Sequence, residues 1–310
     1  MKILITGGSG FIGRAVVSEL LDAKHDVTIL DTKMPDFPGR VHYFACDILQ
    51  NMDDIFSKVS PEVVIHLAAC TDPTAGPDHL YKVNVKVTKN VVDACENFGV
   101  RRIIFASTGM VYGKNSDLEV SEEAEVAPIS LYAFTKAVGE SLVRASSLEH
   151  IIFRMFNVAG PGFTHNPARY LIPVALAATI EKPLRLFTAQ NDVRDYVHVV
   201  DVAKAYVRAI ETVGLTETIN LGTGIPTPLG KVLAMISGER DYPVPTIVDR
   251  NAPGLNKQEG VNLTADSTKA RTILGWRPEK NLGDIIRDSV VWWSLHIGNK
   301  MPKGVLEYSK

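Results

Sequence analysis

The stretch that most constrains this chain is its first one, residues 2–14, where a short apolar run ends in a cluster of glycines. Ile3, Leu4 and Ile5 form an unbroken apolar run, as in a parallel strand that is buried on both faces. From Phe11 onward, apolar residues recur at helical spacing with polar residues between them. The glycines therefore form the turn that joins a buried strand to a helix.

The glycine turn has the spacing of a dinucleotide-binding fingerprint, although such a spacing also occurs in ordinary glycine-rich turns. A second apolar strand at 27–30 ends at Asp31, whose carboxylate would accept both hydroxyls of an adenosine ribose and repel a 2'-phosphate. Asp31 therefore favours NAD over NADP, whereas the positive charge of the nearby Lys33 would favour NADP. The turn would bring backbone N–H groups close to a pyrophosphate at the helix N-terminus. Its glycines are Gly7, Gly8, Gly10 and Gly13.

Charge and composition exclude several classes of protein. The formal net charge of the 310 residues is -2 and no basic run occurs, so neither nucleic acid nor a membrane surface is expected as a partner. No apolar run reaches the roughly 18 residues of a membrane span, and residues 1–14 show no signal-peptide pattern, so neither a membrane span nor a secretory signal is expected. Cys46, Cys70 and Cys95 are too scattered for a disulfide framework or a zinc site, which favours a reducing cytoplasm.

Strand and helix patterns alternate over the first half of the chain, which predicts an α/β fold with a doubly wound parallel (Rossmann) sheet. Beyond Asn157 the pattern changes, so we expect a smaller, discontinuous α/β domain of residues 157–191 and 239–310 beside a cofactor-binding domain of residues 1–156 and 192–238. The predicted strands are 3–5, 27–30, 41–47, 62–69, 102–108, 150–153 and 217–221. The predicted helices are 11–21, 52–59, 77–98, 132–147, 171–180, 201–210, 268–274 and 282–296.

Two strand ends offer further contacts to a dinucleotide. Asp47 ends the third strand, where it would either contact an adenine or cap a turn before Ile48. The fourth strand runs into Leu67, Ala68 and Ala69, and small residues there would allow a close backbone approach.

A tyrosine and a lysine stand four residues apart on a predicted helix, so Tyr132 and Lys136 share one face. A phenol becomes a base at neutral pH only if its pKa falls by about three units, which takes roughly 4 kcal/mol. A fixed ammonium one turn away, together with a positive nicotinamide ring, would supply that stabilisation. Thr108 ends the fifth strand at the sheet edge where ligands bind, and its hydroxyl could bind a substrate oxygen. Without further motifs, the pair is also compatible with an ordinary surface helix.

Several motifs occur in an order that resembles the extended short-chain dehydrogenase/reductase family. The likeness is greatest to nucleotide-sugar 4-epimerases of the UDP-glucose 4-epimerase type, and it extends from the first strand to Pro278. The motifs are Gly-Gly-Ser-Gly-Phe-Ile-Gly13, His-Leu-Ala-Ala69, Ser-Thr-Gly-Met-Val-Tyr-Gly113, Tyr132-x-x-x-Lys136, Arg154-Met-Phe-Asn-Val-Ala-Gly-Pro161, Arg-Asp-Tyr-Val-His198 and Leu-Gly-Trp-Arg-Pro278.

The resemblance implies a role for each matching residue. It makes Tyr132 the catalytic base, Lys136 its ribose-binding and pKa-lowering partner, and Thr108 the hydroxyl of the catalytic triad. The implied NAD-binding residues are Gly7, Gly10, Phe11, Ile12, Gly13, Asp31, Asp47, Ile48, Leu67, Ala68, Ala69, Asn84, Tyr132 and Lys136. The implied substrate-binding residues are Thr108, Tyr132, Asn157, Arg194 and Arg250.

Two of these substrate assignments have alternatives. Arg194 would bind the diphosphate through its planar guanidinium, or else form an ion pair with Asp192 or Asp195. Arg250 stands in a distorted version of the family pattern, Arg250-Asn-Ala-Pro-Gly-Leu255.

The residues before Val-Tyr-Gly113 separate subclasses of the family. Dehydratases and decarboxylases resembling this chain carry an acidic residue there, whereas Gly109 and Met110 cannot exchange a proton. The resemblance therefore implies oxidation and re-reduction of a nucleotide sugar, most simply at C4, with bound NAD. Leu263 matches a position that gates the size of the sugar substituent, or else packs in the core.

Other interpretations remain at this point. The chain could be a reductase or dehydrogenase of the same family that releases its reduced cofactor, or an NAD-binding regulator without catalysis. The resemblance also implies a homodimer formed through helices 77–98 and 132–147, both of which have apolar faces.

Overall fold

The structure, a computed structural model, describes residues 1–37, 39–72, 75–114, 119–162, 175, 183–186, 191–212, 214–239, 243–248 and 262–296. Its central sheet has seven parallel strands, and they are β1 Lys2–Thr6, β2 Asp26–Asp31, β3 His42–Ala45, β4 Val63–His66, β5 Arg102–Thr108, β7 Glu149–Met155 and β12 Glu217–Leu221. The strand order is β3-β2-β1-β4-β5-β7-β12, which confirms the predicted doubly wound sheet. The order reverses between β1 and β4, the point where such sheets bind ligands.

Both faces of the sheet are covered by helices. Ile3 and Ile5 of β1 belong to one apolar cluster and Leu4 to another, because successive side chains of a strand point to opposite faces. The first cluster includes residues of the helices at 11–22, 199–211 and 268–274, and the second includes residues of the helices at 53–59, 87–97 and 131–144. The helices of the described part are α1 Phe11–Asp22, α2 Asp53–Val59, α3 Pro77–Leu80, α4 Val87–Asn97, α5 Leu131–Arg144, α6 Val199–Glu211, α7 Leu229–Glu239, α8 Thr268–Leu274 and α9 Leu282–His296.

The predicted α-helix 77–98 is wrong in one respect, because a π-helical turn at Tyr81–Lys86 separates α3 from α4. Asn84 lies in this turn with its side chain buried and hydrogen-bonded to other segments. Such turns commonly accommodate a side-chain requirement that a regular helix cannot meet. Apolar spacing alone does not reveal that requirement.

Most other predicted elements are present with shifted ends. The third and fourth strands are shorter than predicted, at His42–Ala45 and Val63–His66, while the helix predicted at 132–147 is Leu131–Arg144. The strand predicted at 150–153 extends over Glu149–Met155. The helix predicted at 171–180 lies outside the described residues, apart from residue 175.

A third apolar cluster joins α7, α9 and the short strand Leu184–Leu186, together with Tyr196. The short strands outside the large sheet are β6 Glu119–Val120, β8 Asn157–Ala159, β9 Leu184–Leu186, β10 Val193–Arg194, β11 Tyr196–His198, β13 Thr227–Pro228, β14 Thr246–Val248 and β15 Thr264–Ala265. Leu229, which lies in the predicted cofactor-binding domain, belongs to the third cluster. Trp276, which lies in the predicted smaller domain, belongs to the first cluster. The division into two domains at the stated boundaries stays a prediction. Within the described ranges, no helix has both the length and the apolar composition to cross a bilayer.

Candidate active site

The glycine turn after β1 is shaped by close backbone packing. Gly7 has φ +75, and a Cβ there would lie 2.7 Å from the backbone nitrogen of Ala68, at the end of β4. A Cβ on Gly13 would lie 2.3 Å from the carbonyl oxygen of Gly7. Helix α1 then begins at Phe11, and Gly10 before it offers no side-chain cap, so the helix N-terminus presents backbone N–H groups of the kind that bind a pyrophosphate. The geometry fits the dinucleotide site predicted here.

The acidic residues after β2 and β3 have different surroundings. The Asp31 carboxylate accepts hydrogen bonds from the backbone nitrogens of Ser9 at 3.0 Å and Lys33 at 3.0 Å, so it lies beside the glycine turn. Asp47 accepts from the backbone nitrogen of Leu49 at 3.0 Å, which is the turn-capping alternative. Any contact of either carboxylate with adenosine stays a prediction.

A buried histidine, His66, to which the motif His-Leu-Ala-Ala69 gave no role of its own, connects β1 to α4. Thr88 Oγ1 donates to the carbonyl of Asn84 at 2.6 Å, so it can only accept from His66 Nε2 at 3.0 Å. Nδ1 of His66 therefore accepts from Thr6 Oγ1 at 2.7 Å. Burial, and next the charge of Lys136, lower the pKa of His66 to about 3. His66 is thus a neutral link with its proton on Nε2.

Asn84 joins this network to the helix that carries the Tyr-Lys pair. Its Oδ1 accepts from the backbone nitrogen of Cys70 at 2.7 Å, and its Nδ2 donates to the carbonyl of Cys70 and to Thr135 Oγ1, each at 3.0 Å. Thr135 Oγ1 in turn donates to the carbonyl of Tyr132 at 2.8 Å. Asn84 thereby connects the loop after β4 to α5, and its predicted cofactor contact stays a prediction.

Tyr132 and Lys136 lie one turn apart on α5, which begins where Ser130 accepts from the backbone nitrogen of Ala133. The Lys136 side chain is buried, and its Nζ lies 4.3 Å from the centre of the Phe105 ring on β5. Burial lowers the pKa of Lys136 to about 7, with Glu140 partly opposing that shift. The α5 helix holds the ammonium group inside the protein, where its charge acts strongly on neighbouring groups.

Glu140, one turn beyond Lys136, is the centre of a buried ionic network. Arg154 donates to both carboxylate oxygens of Glu140 at 3.0 and 2.9 Å, and Ser107 Oγ donates at 2.5 Å. Burial raises the pKa of Glu140, but the hydrogen bonds from Arg154 and Ser107 outweigh it and hold the pKa below its usual value. The network ties α5 to β5 and β7. In the sequence, the one indication of this network is that Glu140 stands four residues after Lys136, on the same face of the helix.

A cleft opens at the carboxyl ends of β5 and β7. It brings together four residues that the sequence analysis selected separately, and they are Thr108, Asn157, Arg194 and Leu263. The rest of its described lining is Gly109, Met110, Met155 and Phe156. Arg194 is therefore the one charged side chain in that lining. These four residues meet in one concave site that combines an apolar wall with a hydroxyl, an amide and a guanidinium, whereas Tyr132 and Lys136 are not part of its described lining.

Hydrogen bonds to backbone groups fix the polar side chains of the cleft. Thr108 Oγ1 accepts from the backbone nitrogen of Met110 at 3.2 Å, and Asn157 Nδ2 donates to the carbonyl of Asp195 at 3.2 Å. Burial lowers the pKa of Arg194, so its cation would gain from an anionic ligand. Arg250 lies outside the described residues, and its contact with a diphosphate stays a prediction.

Comparison with known proteins shows the family of this chain. Residues 3–222 match the model of the NAD dependent epimerase/dehydratase family. The chain belongs to the NAD-dependent epimerase/dehydratase family. This assignment confirms the predicted family and its cofactor, NAD, and the glycine turn, the uncapped α1 and Asp31 fit that cofactor.

Individual members of the epimerase/dehydratase family resemble the chain over nearly its whole length. UDP-glucose 4-epimerase of Corynebacterium glutamicum is 30% identical over 315 residues, covering 93% of this chain and 94% of its own. The structure of UDP-glucose 4-epimerase from Thermotoga maritima with UDP-glucose superposes with a TM-score of 0.84 at 28% identity, covering 95% and 99% of the two chains. MoeE5 in complex with UDP-glucuronic acid and NAD gives a TM-score of 0.84 at 26% identity, with 94% and 98% covered.

Proposed function

We propose that this chain inverts C4 of a UDP sugar, of the UDP-glucose/UDP-galactose kind, without net oxidation. It is an NAD-dependent nucleotide-sugar epimerase, as the sequence predicted. The observation that carries the finer proposal is the cleft in which Thr108, Asn157 and Arg194 meet beside the helix of Tyr132 and Lys136. Relatives that carry the name UDP-glucose 4-epimerase support UDP as the nucleotide.

Each residue of the site has a part in the proposed reaction. Tyr132 removes the proton of the C4 hydroxyl, and the charge of Lys136 stabilises the phenolate that this requires. The hydroxyl of Thr108 holds the same substrate oxygen. Arg194 and Asn157 hold the diphosphate, so the sugar can turn over between the two half-reactions while the nucleotide stays bound. NAD, when bound, supplies the acceptor and donor of the hydride.

The position next to Thr108 supports epimerisation over elimination. Gly109 and Met110 line the cleft, and neither side chain can give or take a proton. A Cβ on Gly109 would lie 3.0 Å from the Phe156 ring, so a larger side chain there would displace that ring. Loss of water from the sugar would need an additional acid and base, and this stretch contributes none.

Proton NMR tests the proposed activity. The purified protein is incubated with UDP-, GDP-, CDP- and dTDP-sugars, and the ring couplings report inversion at each carbon. We expect UDP-glucose and UDP-galactose to interconvert, with NAD released when the purified protein is denatured. Stoichiometric formation of NADH with a ketone product would instead indicate a dehydrogenase. Bound NAD without turnover of any sugar would indicate a regulator.

We further propose a cytoplasmic homodimer. Three large side chains on α5 and on the π-helical turn before α4 are exposed, with Tyr81 at 53%, Leu131 at 41% and Phe134 at 55%. A second copy of the chain packed on α3 to α5 would cover them. Sedimentation of Phe134→Asp against the unchanged protein would detect loss of the dimer.

A further inference from the structure

Asp195 lies behind the cleft, is fully buried and accepts an unusual number of hydrogen bonds. Its Oδ1 accepts from the backbone nitrogen of Thr223 at 2.8 Å and from Thr223 Oγ1 at 2.5 Å. Its Oδ2 accepts from the backbone nitrogens of Gly224 at 2.9 Å and Ala265 at 3.0 Å. All four groups are donors, so an acceptor with two ionised oxygens matches the site and an amide would not.

The backbone of the same residue holds the cleft directly. The carbonyl of Asp195 accepts from both the backbone nitrogen and Nδ2 of Asn157, at 2.9 and 3.2 Å. Arg194 precedes Asp195 in the chain, and Leu263 stands two residues before Ala265. Asp195 therefore connects three separate lining segments of the cleft, in addition to the β8–β11 pairing and the hydrogen bond from the backbone nitrogen of Val193 to Asn262 Oδ1 at 2.7 Å.

The packing around the carboxylate leaves no room for adjustment. A Cβ on Gly222 would lie 2.5 Å from Asp195 Oδ2 and 2.6 Å from the Cβ of Ala265. The turn after β12 thus closes over the carboxylate, and its glycine permits that approach. Asp195 does not itself line the cleft.

We propose that Asp195 is a positioning residue that sets the affinity of the cleft for the diphosphate of the nucleotide sugar by fixing Arg194, Asn157 and the Leu263 segment relative to one another. The inference rests on the proposed function, because it assigns the diphosphate to Arg194 and Asn157. The groups that handle the proton lie on β5 and α5, whereas the carboxylate of Asp195 accepts from the turn after β12 and from Ala265 of β15. The effect should therefore fall on KM more than on kcat.

The test compares Asp195→Asn with Asp266→Asn. Asp266 follows Ala265 and its side chain caps α8 through the backbone nitrogen of Thr268, a bond that an asparagine can keep. We expect Asp195→Asn to raise KM for UDP-glucose about ten- to hundredfold, with kcat changed less than about threefold and bound NAD retained, since two donors lose their acceptor. Asp266→Asn should leave all three quantities as in the unchanged protein.

A second pair of variants keeps the test informative if Asp195→Asn does not fold. Thr223→Val removes one donor to the carboxylate, and we expect a rise in KM of about threefold to tenfold, whereas Thr223→Ser keeps the hydroxyl and restores the KM. An unchanged KM in Asp195→Asn or Thr223→Val, or an equal fall in kcat and in bound NAD, would overturn the positioning role and leave the proposed function standing. Absence of UDP-glucose turnover in the unchanged protein would overturn the proposed function, and this inference with it.

Discussion

Lys136 is a buried cation whose charge serves the proposed reaction but lowers the stability of the folded protein. Its side chain is 3% exposed, and burial lowers its pKa to about 7. In the unfolded chain a lysine titrates near pH 10.4, so between pH 7 and about pH 10 the unfolded state binds more protons. Lys136 therefore contributes a rise of the free energy of unfolding with pH across this window, because the buried charge is lost in the folded state first.

Lys136→Met should stabilise the cofactor-free protein while removing its activity. We expect the free energy of unfolding to increase by about 1–3 kcal/mol at pH 6, because the cost of burying the charge disappears. The gain should shrink as the pH rises from 7 toward 10. Urea unfolding at several pH values measures it, with Lys89→Met as the control, since Lys89 forms an exposed ion pair with Asp93. A gain that is equal at all pH values would contradict this account.

Tyr132 can be tested by removing one oxygen atom. Tyr132→Phe should lower kcat by about 10³-fold, because the proton of the sugar hydroxyl loses its acceptor. The NAD content of the purified variant should equal that of the unchanged protein. Tyr81→Phe is the control, since Tyr81 is 53% exposed and lies outside the cleft. Turnover of Tyr132→Phe within threefold of the unchanged protein would refute the base assignment.

The π-helical turn and α5 are joined by one hydroxyl group. Thr135 Oγ1 accepts from Asn84 Nδ2 and donates to the carbonyl of Tyr132. Thr135→Val has a similar shape but leaves a buried N–H of Asn84 unpaired, which should lower the free energy of unfolding by about 1–3 kcal/mol and lower kcat. Thr135→Ser should preserve both. Equal melting temperatures and equal kcat values for the two variants would show that this hydrogen bond does not hold the helices.

A substitution in the glycine turn tests whether the strand-turn-helix unit forms the pyrophosphate site. Gly13→Ala would bring a Cβ within 2.3 Å of the carbonyl oxygen of Gly7, so the backbone of the turn would have to shift. We expect about 1–3 kcal/mol of lost stability and at least about tenfold weaker NAD binding, measured by thermal unfolding and by calorimetry. Gly238→Ala, a helical site with no atom within 4 Å of the added Cβ, should be neutral or slightly stabilising. Equal NAD affinity in both variants would argue against the turn as the pyrophosphate site.

Periodicity predicted the elements of the sheet because their side chains obey local rules. Ile3, Leu4 and Ile5 are buried on alternate faces, and the apolar run alone indicates that burial. The π-helical turn could not be predicted in this way, because it accompanies hydrogen bonds from Asn84 to Cys70 and Thr135 across the fold. The ends of strands also shifted, since tertiary pairing decides where a strand stops.

At the scale of the whole molecule, the sequence predicted the residues of the candidate active site as separate motifs. Only the folded structure shows that these residues lie close together. Thr108, Asn157, Arg194 and Leu263 come from distant parts of the sequence and line one cleft. Asp195 was considered only as an ion-pair partner of Arg194, because nothing near it in the sequence indicates that Thr223, Gly224 and Ala265 converge on it. Residues that touch a ligand leave motifs, whereas residues that support them depend on long-range contacts.

Isotope labelling tests the central claim, that the chain removes a hydride from C4 of the sugar and returns it to the same carbon. UDP-glucose with deuterium at C4 is incubated with the purified protein, without added NAD, and the sugar is analysed by NMR and mass spectrometry. We expect UDP-galactose that keeps its deuterium at C4, with no accumulation of NADH. Loss of the deuterium to water, or NADH accumulating with a keto sugar, would contradict it.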